Sequence, residues 1–277
     1  GGPHLRGDPG RGALGMPHPA SGAARGAGGR ARGWLAGQLG AVREARRPVA
    51  MLARAIALLV AGAAAGGAQA APRVHVLATG GTISNLGDSA RRTGTELVAG
   101  IPGLEGIARV TVEQFSNVAS SSVTHEMWRR LADRIRQMQS GGDAPAGYVI
   151  THGTDTMEET VYFLSLTVGG CEPVIVTGAM RQANAVGADG PANLRNSIRV
   201  AVAPAARGRG AMVLMNDELF AARDVTKSNT TRLNAFTAPD AGVLGLADPD
   251  TVVFHRPAPA ACAPPRYELA SLGDFPR

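Results

Sequence analysis

Five short apolar segments between residues 73 and 215 carry the pattern of buried strands. Each is rich in β-branched side chains, and most are followed at once by Gly, Ser or Asn. Short apolar runs bounded by such turn residues are typical of strands covered on both faces. The predicted strands span residues 73–78, 109–113, 147–151, 173–177 and 211–215.

Between the later strands the apolar positions recur at three- and four-residue spacing, which predicts amphipathic helices. Thr124 is placed to cap the first of these helices, and Thr156 with Glu159 has the spacing of a capping box at the second. Pro191 falls in the first turn of the third. The predicted helices span residues 124–140, 156–168 and 189–202.

This alternation of strands and helices predicts an α/β fold. We expect a parallel, Rossmann-like or flavodoxin-like sheet with helices on both faces, because right-handed crossovers place them there. In such sheets ligands bind at the carboxyl ends of the strands. We therefore expect the functional residues among those that directly follow each strand.

Composition divides the chain into four parts. Residues 1–50 are rich in Gly, Ala, Arg and Pro, and we expect a disordered leader that lies upstream of a true start at Met51. Residues 51–70 combine Arg54, an apolar stretch at 55–65 and Ala68-Gln69-Ala70, which is typical of a signal peptide cleaved before Ala71. A short membrane anchor or a buried helix is the alternative. Residues 71–256 form the expected catalytic domain, and the Pro-rich residues 257–277 a linker.

The net charge of +6 does not indicate a nucleic-acid binder, because the positive charge is concentrated in the leader. Residues 1–70 hold nine Arg and two acids, whereas residues 71–277 hold 18 Arg, one Lys and 20 acids. No apolar run reaches the roughly 20 residues of a membrane-spanning helix. We therefore expect neither nucleic acid nor membrane as a partner of the predicted domain. Whether the two cysteines, Cys171 and Cys262, form a disulfide bond stays open.

Hydroxyl groups follow the first two strands. Thr82 comes after Gly80 and Gly81, where it is a candidate nucleophile, although a plain turn or an anion-binding nest fits the same residues. Ser120 and Ser121 follow the second strand and suit a carboxylate ligand, and a solvated polar loop is equally compatible.

The third strand leads into Thr154 and Asp155, at the start of a predicted helix. Together with His152, Glu158 and Glu159, this stretch could be interpreted as a metal cluster. However, acids in the first turn of a helix are favoured by the helix dipole alone, so we expect no metal.

Lys227 is the only lysine in the chain. A lysine amine can release a proton at accessible pH, whereas a guanidinium effectively cannot, so a lone lysine is a candidate for a task that Arg cannot perform; chance retention is the alternative. A Thr hydroxyl needs a base to become a nucleophile, and a Lys held by an Asp can serve as one. The set of Thr, Asp and Lys therefore indicates acyl transfer, most simply hydrolysis of an ester or amide.

Five motifs in this order resemble the bacterial-type L-asparaginases, a family that includes the glutaminase-asparaginases. The signal peptide resembles that of the periplasmic, type II branch. The motifs lie at residues 76–84 (VLATGGTIS), 147–157 (GYVITHGTDTM), 176–181 (VTGAMR), 188–194 (ADGPANL) and 215–231 (MNDELFAARDVTKSNTT).

The resemblance implies roles for the residues at the strand ends. Thr82 would be the nucleophile on a flexible loop, and Thr154, Lys227 and Asp155 would form a second catalytic group. Asp155 would also bind the α-ammonium group of L-asparagine. The other implied substrate contacts are Ser120 with the α-carboxylate, Ser121 beside it, the Ala179 carbonyl with the side-chain amide, and the Thr154 N–H with the developing oxyanion.

The resemblance further implies a cofactor-free enzyme, periplasmic or secreted, that forms homotetramers of intimate dimers. The chain departs from the family pattern where a Tyr is usual, in residues 91–100, and where Ser121 replaces a Gln. The family also has a smaller α/β domain after the linker, so we expect little activity from residues 1–277 alone. A non-catalytic amino-acid-binding protein and an amidotransferase subunit are the alternatives.

Overall fold

In the computed structural model, residues 70–88, 90–258 and 262–273 can be described. The predicted leader, residues 1–50, and the predicted signal peptide, residues 51–70, lie outside them except for residue 70. The strands are β1 (Arg73–Gly80), β2 (Asn85–Gly87), β3 (Ala90–Arg91), β4 (Arg109–Val118), β5 (Gly147–Thr151), β6 (Val174–Thr177), β7 (Ala211–Met215), β8 (Glu218–Ala221), β9 (Thr226–Lys227), β10 (Phe236–Thr237), β11 (Gly245–Ala247) and β12 (Val252–Phe254).

An eight-stranded sheet in the order β12-β11-β8-β7-β6-β5-β1-β4 forms the centre of the fold. The five strands predicted from the sequence, β4, β1, β5, β6 and β7, are adjacent and parallel. The expected α/β class with a mostly parallel sheet is thus confirmed. Their carboxyl ends share one edge, which is where polar residues follow β1, β4, β5 and β6.

The sequence pattern did not reveal the antiparallel half of the sheet. Strands β8, β11 and β12 have only three or four residues each, too few to display an alternation. Between β7 and β8, Asn216 and Asp217 both have positive φ, of 53° and 64°, and form a two-residue hairpin turn. These two residues belong to the motif at 215–231, and in the fold they reverse the chain.

Among the residues that can be described, four α-helices accompany the sheet: α1 (Gly94–Ala99), α2 (His125–Gln139), α3 (Met157–Thr167) and α4 (Gly190–Val202). Thr124 caps α2 as predicted, because its hydroxyl accepts from the Met127 N–H. The capping box predicted at Thr156 is wrong. The Thr156 hydroxyl donates to the Ser120 carbonyl instead, at 3.0 Å, so a tertiary contact replaces the local one.

Apolar side chains cover both faces of the sheet. Along β5, Tyr148 and Ile150 point to the face carrying α2 and α3, whereas Val149 between them points to the face carrying α4. All three are fully buried, as expected of a strand with helices on both sides. This core fixes the positions of the strand ends.

Residues 262–273 pack against this domain. A disulfide bond joins Cys171 to Cys262, and the Tyr267 N–H donates to the Leu166 carbonyl at 2.9 Å. Arg136 on α2 pairs with Glu268 at 2.6 Å, and Leu269 is buried. This part of the predicted linker is therefore held on the side of the sheet that α2 and α3 cover.

Within the part of the chain that can be described, no helix is both long enough and apolar enough to cross a membrane. Across the same residues, no group of three or more His, Cys, Asp and Glu side chains is arranged to hold a metal ion.

Candidate active site

The strand ends bring the predicted site residues to one edge of the sheet. Thr82, Ser120, Thr154 and Ala179 follow β1, β4, β5 and β6, four strands that are neighbours in the sheet. Lys227 reaches the same edge from β9, which belongs to a separate two-stranded ribbon with β10. An open cavity of about 410 Å³ lies beside them, lined by Asp155, Glu158, Lys227, Ser228, Asn229 and Thr230.

Lys227 bridges two of the predicted catalytic groups. Its ammonium nitrogen Nζ lies 2.8 Å from the Thr154 hydroxyl and 2.6 Å from Asp155 Oδ1. The lysine side chain is 14% exposed, whereas that of Asp155 is 70% exposed and faces the cavity. One side of the lysine amine therefore meets a hydroxyl and the other a carboxylate that solvent can reach. This is the arrangement that proton transfer to or from Thr154 requires.

Ser120 is joined to the same loop. It is buried, and its hydroxyl oxygen accepts from the Asp155 N–H at 3.2 Å. The Thr156 hydroxyl donates to the Ser120 carbonyl, so the turns Ser120–Ser122 and Thr154–Thr156 are bound to each other. Because the Ser120 oxygen accepts there, its own hydrogen can serve another acceptor. Ser121 lies in the same turn with an exposed side chain.

Two glycines hold Thr82 beside this group. Gly80 and Gly81 have φ of 112° and 85°, which L side chains rarely adopt. A Cβ on Gly81 would lie 2.4 Å from the Gly153 Cα, so these two backbones are in direct contact. Thr82 directly follows Gly81, and Thr154 directly follows Gly153. The contact of the two glycines therefore brings the backbones of the two threonines close to each other.

The loop after β6 is braced by α4. The Asp189 carboxylate accepts from the Met180 and Arg181 N–H groups, both at 2.9 Å. The Asn193 amide donates to the Gly178 carbonyl at 3.0 Å. Ala179, whose carbonyl is a predicted substrate contact, is buried between these anchored residues. Asp189 and Asn193 are supporting residues that the sequence indicated only as part of a motif.

A buried network that the sequence did not predict lies under Thr154. The Trp128 indole donates to the Thr160 hydroxyl at 2.7 Å, and that hydroxyl lies 3.0 Å from His152 Nε2. A carbonyl only accepts, so His152 Nδ1, 2.7 Å from the Gly153 carbonyl, carries a ring hydrogen and donates it there. In the neutral ring Nε2 then accepts from the Thr160 hydroxyl, whose oxygen in turn accepts from the indole.

This network orients the peptide group before Thr154. Burial lowers the pKa of His152 and keeps the ring neutral. In a trans peptide the N–H points opposite to the preceding carbonyl, so fixing the Gly153 carbonyl also fixes the Thr154 N–H on the other side. His152 thus supports the site by holding this peptide group. Among the described residues it is not part of a group of side chains arranged to hold a metal ion.

Comparison with known proteins gives a consistent assignment. The family model described as "Asparaginase, N-terminal" matches residues 73–260. L-asparaginase 2 of Escherichia coli (strain K12) is 41% identical over 232 residues, which is 80% of this chain and 66% of that protein. The glutaminase-asparaginase of Pseudomonas fluorescens biotype A is 39% identical over 213 residues, 73% of this chain and 58% of the relative.

A solved structure, that of a probable cytoplasmic L-asparaginase from Campylobacter jejuni, has the same fold. It superposes with a TM-score of 0.67 at 37% identity, covering 74% of this chain and 64% of that one. The matches thus span between 58% and 66% of the length of these three proteins.

Proposed function

The chain belongs to the asparaginase family, matched over the N-terminal domain of that family, and from this premise we propose that it carries an L-asparaginase active site. The proposed reaction hydrolyses L-asparagine to L-aspartate and ammonia. The contact that carries the proposal is the Lys227 amine between the Thr154 hydroxyl and the Asp155 carboxylate. It joins the three groups that an activated hydroxyl needs.

In the proposed mechanism, the Thr82 hydroxyl attacks the side-chain amide carbon of the substrate. Ammonia leaves, and water then releases L-aspartate from the acyl-enzyme. The Lys227 amine accepts the proton of the Thr82 hydroxyl through the Thr154 hydroxyl and returns it to the departing nitrogen, which leaves as ammonia, while Asp155 holds the lysine amine in place. The Thr154 N–H, whose peptide is oriented by His152, stabilises the developing oxyanion.

The proposed substrate contacts follow from charge and hydrogen bonding. Asp155 carries an exposed carboxylate on the cavity wall and would bind the α-ammonium group. Ser120 retains a hydroxyl hydrogen for the α-carboxylate, with Ser121 in the same turn. The Ala179 carbonyl would accept from the side-chain amide. L-glutamine is proposed as a second substrate, because one relative is named a glutaminase-asparaginase.

The experiment is a coupled ammonia assay with L-asparagine. Because the chain spans 66% of the E. coli relative, the assay uses the chain and also a hybrid, in which residues 71–277 are followed by the C-terminal remainder of that relative. The account expects ammonia release that falls at least about 100-fold in Thr82→Ala and in Thr154→Val. Thr251→Val is the matched control, because Thr251 directly precedes β12, the outermost strand on the side of the sheet opposite to β1 and β4.

Calorimetry with L-aspartate separates this proposal from the alternative of a binding protein. Binding together with turnover supports the hydrolase. Binding by a folded hybrid that releases no ammonia would instead support an amino-acid-binding function. Unchanged turnover in both threonine variants would remove the proposed mechanism.

The proposed site of action is outside the cytoplasm, periplasmic or secreted, with a small molecule as substrate and the homotetramer as the assembled form. Export rests on the pattern of residues 51–70, which lie outside the described residues except for residue 70. N-terminal sequencing of the secreted protein is expected to begin at Ala71. Recovery of the protein from the medium with Met51 or an earlier residue still attached would contradict the cleavage.

A further inference from the structure

The strand that carries Lys227 has little support of its own. Strand β9 consists of Thr226 and Lys227 alone, pairs only with the two residues of β10, and lies outside the eight-stranded sheet. The buried side chains of Val225 and Phe236 anchor this ribbon to the core, whereas Thr226 and Lys227 themselves are only half-buried. A lysine side chain also has four rotatable bonds, so the position of its backbone decides where the amine can reach. What the Lys227 backbone itself binds is therefore decisive for the amine.

Glu158 contacts this strand with both oxygens of its carboxylate. Oε1 accepts from the Thr226 hydroxyl at 3.1 Å, and Oε2 accepts from the Lys227 backbone N–H. A hydrogen bond from a backbone N–H to a charged carboxylate is stronger than one between neutral groups. The carboxylate of Glu158 therefore holds the backbone of β9 from the side of the sheet.

The same short segment also holds the far end of the lysine. Glu158 is the second residue of α3, and the turn just before that helix, Thr154–Thr156, supplies the hydroxyl and the carboxylate that bind Nζ. One continuous turn and helix start thus fix Lys227 at its backbone and at its amine. The distance between the two fixed points is set by rigid local structure.

We propose that Glu158 is a positioning residue, which places the Lys227 backbone so that the lysine amine reaches Thr154 and Asp155. The catalytic meaning of this placement rests on the proposed function, whereas the placement itself does not. The helix-dipole explanation for an acid at this position applies equally to Glu159. Glu159 is exposed, so it is the matched control for every substitution of Glu158.

The first test observes the Lys227 backbone directly in the chain as it stands. Because Lys227 is the only lysine of the 277 residues, labelling with ¹⁵N-lysine gives a single amide resonance. Glu158→Gln and Glu158→Ala are expected to move its proton upfield and to speed its hydrogen exchange roughly tenfold or more. Glu159→Gln is expected to leave both unchanged. An unaltered resonance in Glu158→Ala would overturn the proposal.

The second test observes the lysine amine. Acylation of Lys227 by an amine-reactive reagent, followed on its own peptide by mass spectrometry, reports how firmly Thr154 and Asp155 hold Nζ. Glu158→Ala is expected to accelerate acylation roughly tenfold, Glu158→Gln less, and Glu159→Ala not at all. Thermal unfolding confirms that each variant is folded. Equal acylation rates in folded Glu158→Ala and parent protein would overturn the proposal.

The third test measures ammonia release by the hybrid described above. Glu158→Ala is expected to lower kcat at least tenfold with a smaller change in KM, and Glu158→Gln is expected to restore part of the loss. If the parent hybrid releases no ammonia, the proposed function fails, while the amide and acylation results still decide the positioning. A normal kcat in Glu158→Ala, with parent activity present, would overturn the role of Glu158.

Discussion

At the scale of single residues, the chemistry of the site depends on which side chains are shielded from solvent. Lys227 is mostly buried beside an exposed Asp155, so its amine is held without being sealed off. His152 is fully enclosed, and burial lowers its pKa below the ordinary value of 6.5. Lys227 thus stays in contact with the cavity, whereas His152 stays neutral among the residues that support the site.

The neutral state of His152 makes stability depend on pH. Below about pH 6.5 the unfolded chain binds a proton on this residue that the folded chain does not bind, so the free energy of unfolding falls as the pH falls. The expected contribution is at most about 1.4 kcal/mol per pH unit. Above pH 6.5 the contribution is complete and constant.

Urea denaturation between pH 5 and 7.5 measures this dependence. His152→Gln is expected to reduce the slope of unfolding free energy against pH, and the buried His75, whose pKa burial also lowers, accounts for part of the remainder. His255→Gln is the control, because His255 is exposed. A slope that is the same in His152→Gln and in the parent protein would show that His152 is not held neutral.

At the scale of elements, Gly80 at the end of β1 and Gly81 after it decide whether Thr82 lies beside Thr154. Gly81→Ala is expected to destabilise the fold by about 2 kcal/mol or more and to abolish ammonia release. The new Cβ would lie 2.4 Å from the Gly153 Cα, and the backbone at φ 85° and ψ −173° is a conformation essentially restricted to glycine, which adds about 1–3 kcal/mol of strain.

Gly103→Ala separates the two causes. Gly103 also has a positive φ, of 75°, but a Cβ there meets nothing within 4 Å. We expect this variant to lose about 1 kcal/mol of stability through strain and to keep its activity. Thermal and urea unfolding of both variants measure the difference. A Gly81→Ala protein as stable as Gly103→Ala would contradict the close contact of Gly81 with Gly153.

Elements with a strong pattern could be predicted from the sequence, and elements that depend on distant partners could not. The five parallel strands and helices α2, α3 and α4 follow from apolar periodicity and lie close to their predicted bounds, except that β4, predicted to end at residue 113, extends to Val118. The capping box at Thr156 failed because Ser120, 36 positions earlier, binds that hydroxyl. A local spacing rule contains no information about such a partner.

The residues of the candidate site also fall into those that the sequence predicted and those that it did not. Thr82, Thr154 and Lys227 were singled out because hydroxyls at strand ends and a lone lysine are unusual in themselves. Glu158 and His152 had an ordinary local explanation, as an acid in a first helical turn and a residue at the end of a buried strand. Their contacts with Lys227 and Gly153 arise only in the folded chain.

At the scale of the whole molecule, the Cys171–Cys262 disulfide bond fastens the tail to the domain. The two cysteines are 91 positions apart, so the bond removes much of the freedom of the unfolded chain. Cys262→Ser is expected to lower the free energy of unfolding by about 2–5 kcal/mol.

Urea denaturation with and without reductant measures this effect. Reductant is expected to lower the stability of the parent protein to that of Cys262→Ser, and to leave a double variant, Cys171→Ser with Cys262→Ser, unchanged. A parent protein with the same midpoint in both conditions would show that the bond contributes nothing to folding.

In the described domain, hydroxyl, carboxylate and amine groups meet at the carboxyl ends of the parallel strands. We propose that the amine of Lys227 acts there as a base. Ammonia release from L-asparagine by the hybrid carrying Lys227→Arg tests this claim most directly, with Arg223→Lys as the reciprocal control on an exposed residue. We predict a loss of at least about 100-fold in Lys227→Arg, because a guanidinium stays protonated and cannot act as the base. Turnover equal to that of the parent hybrid would contradict it.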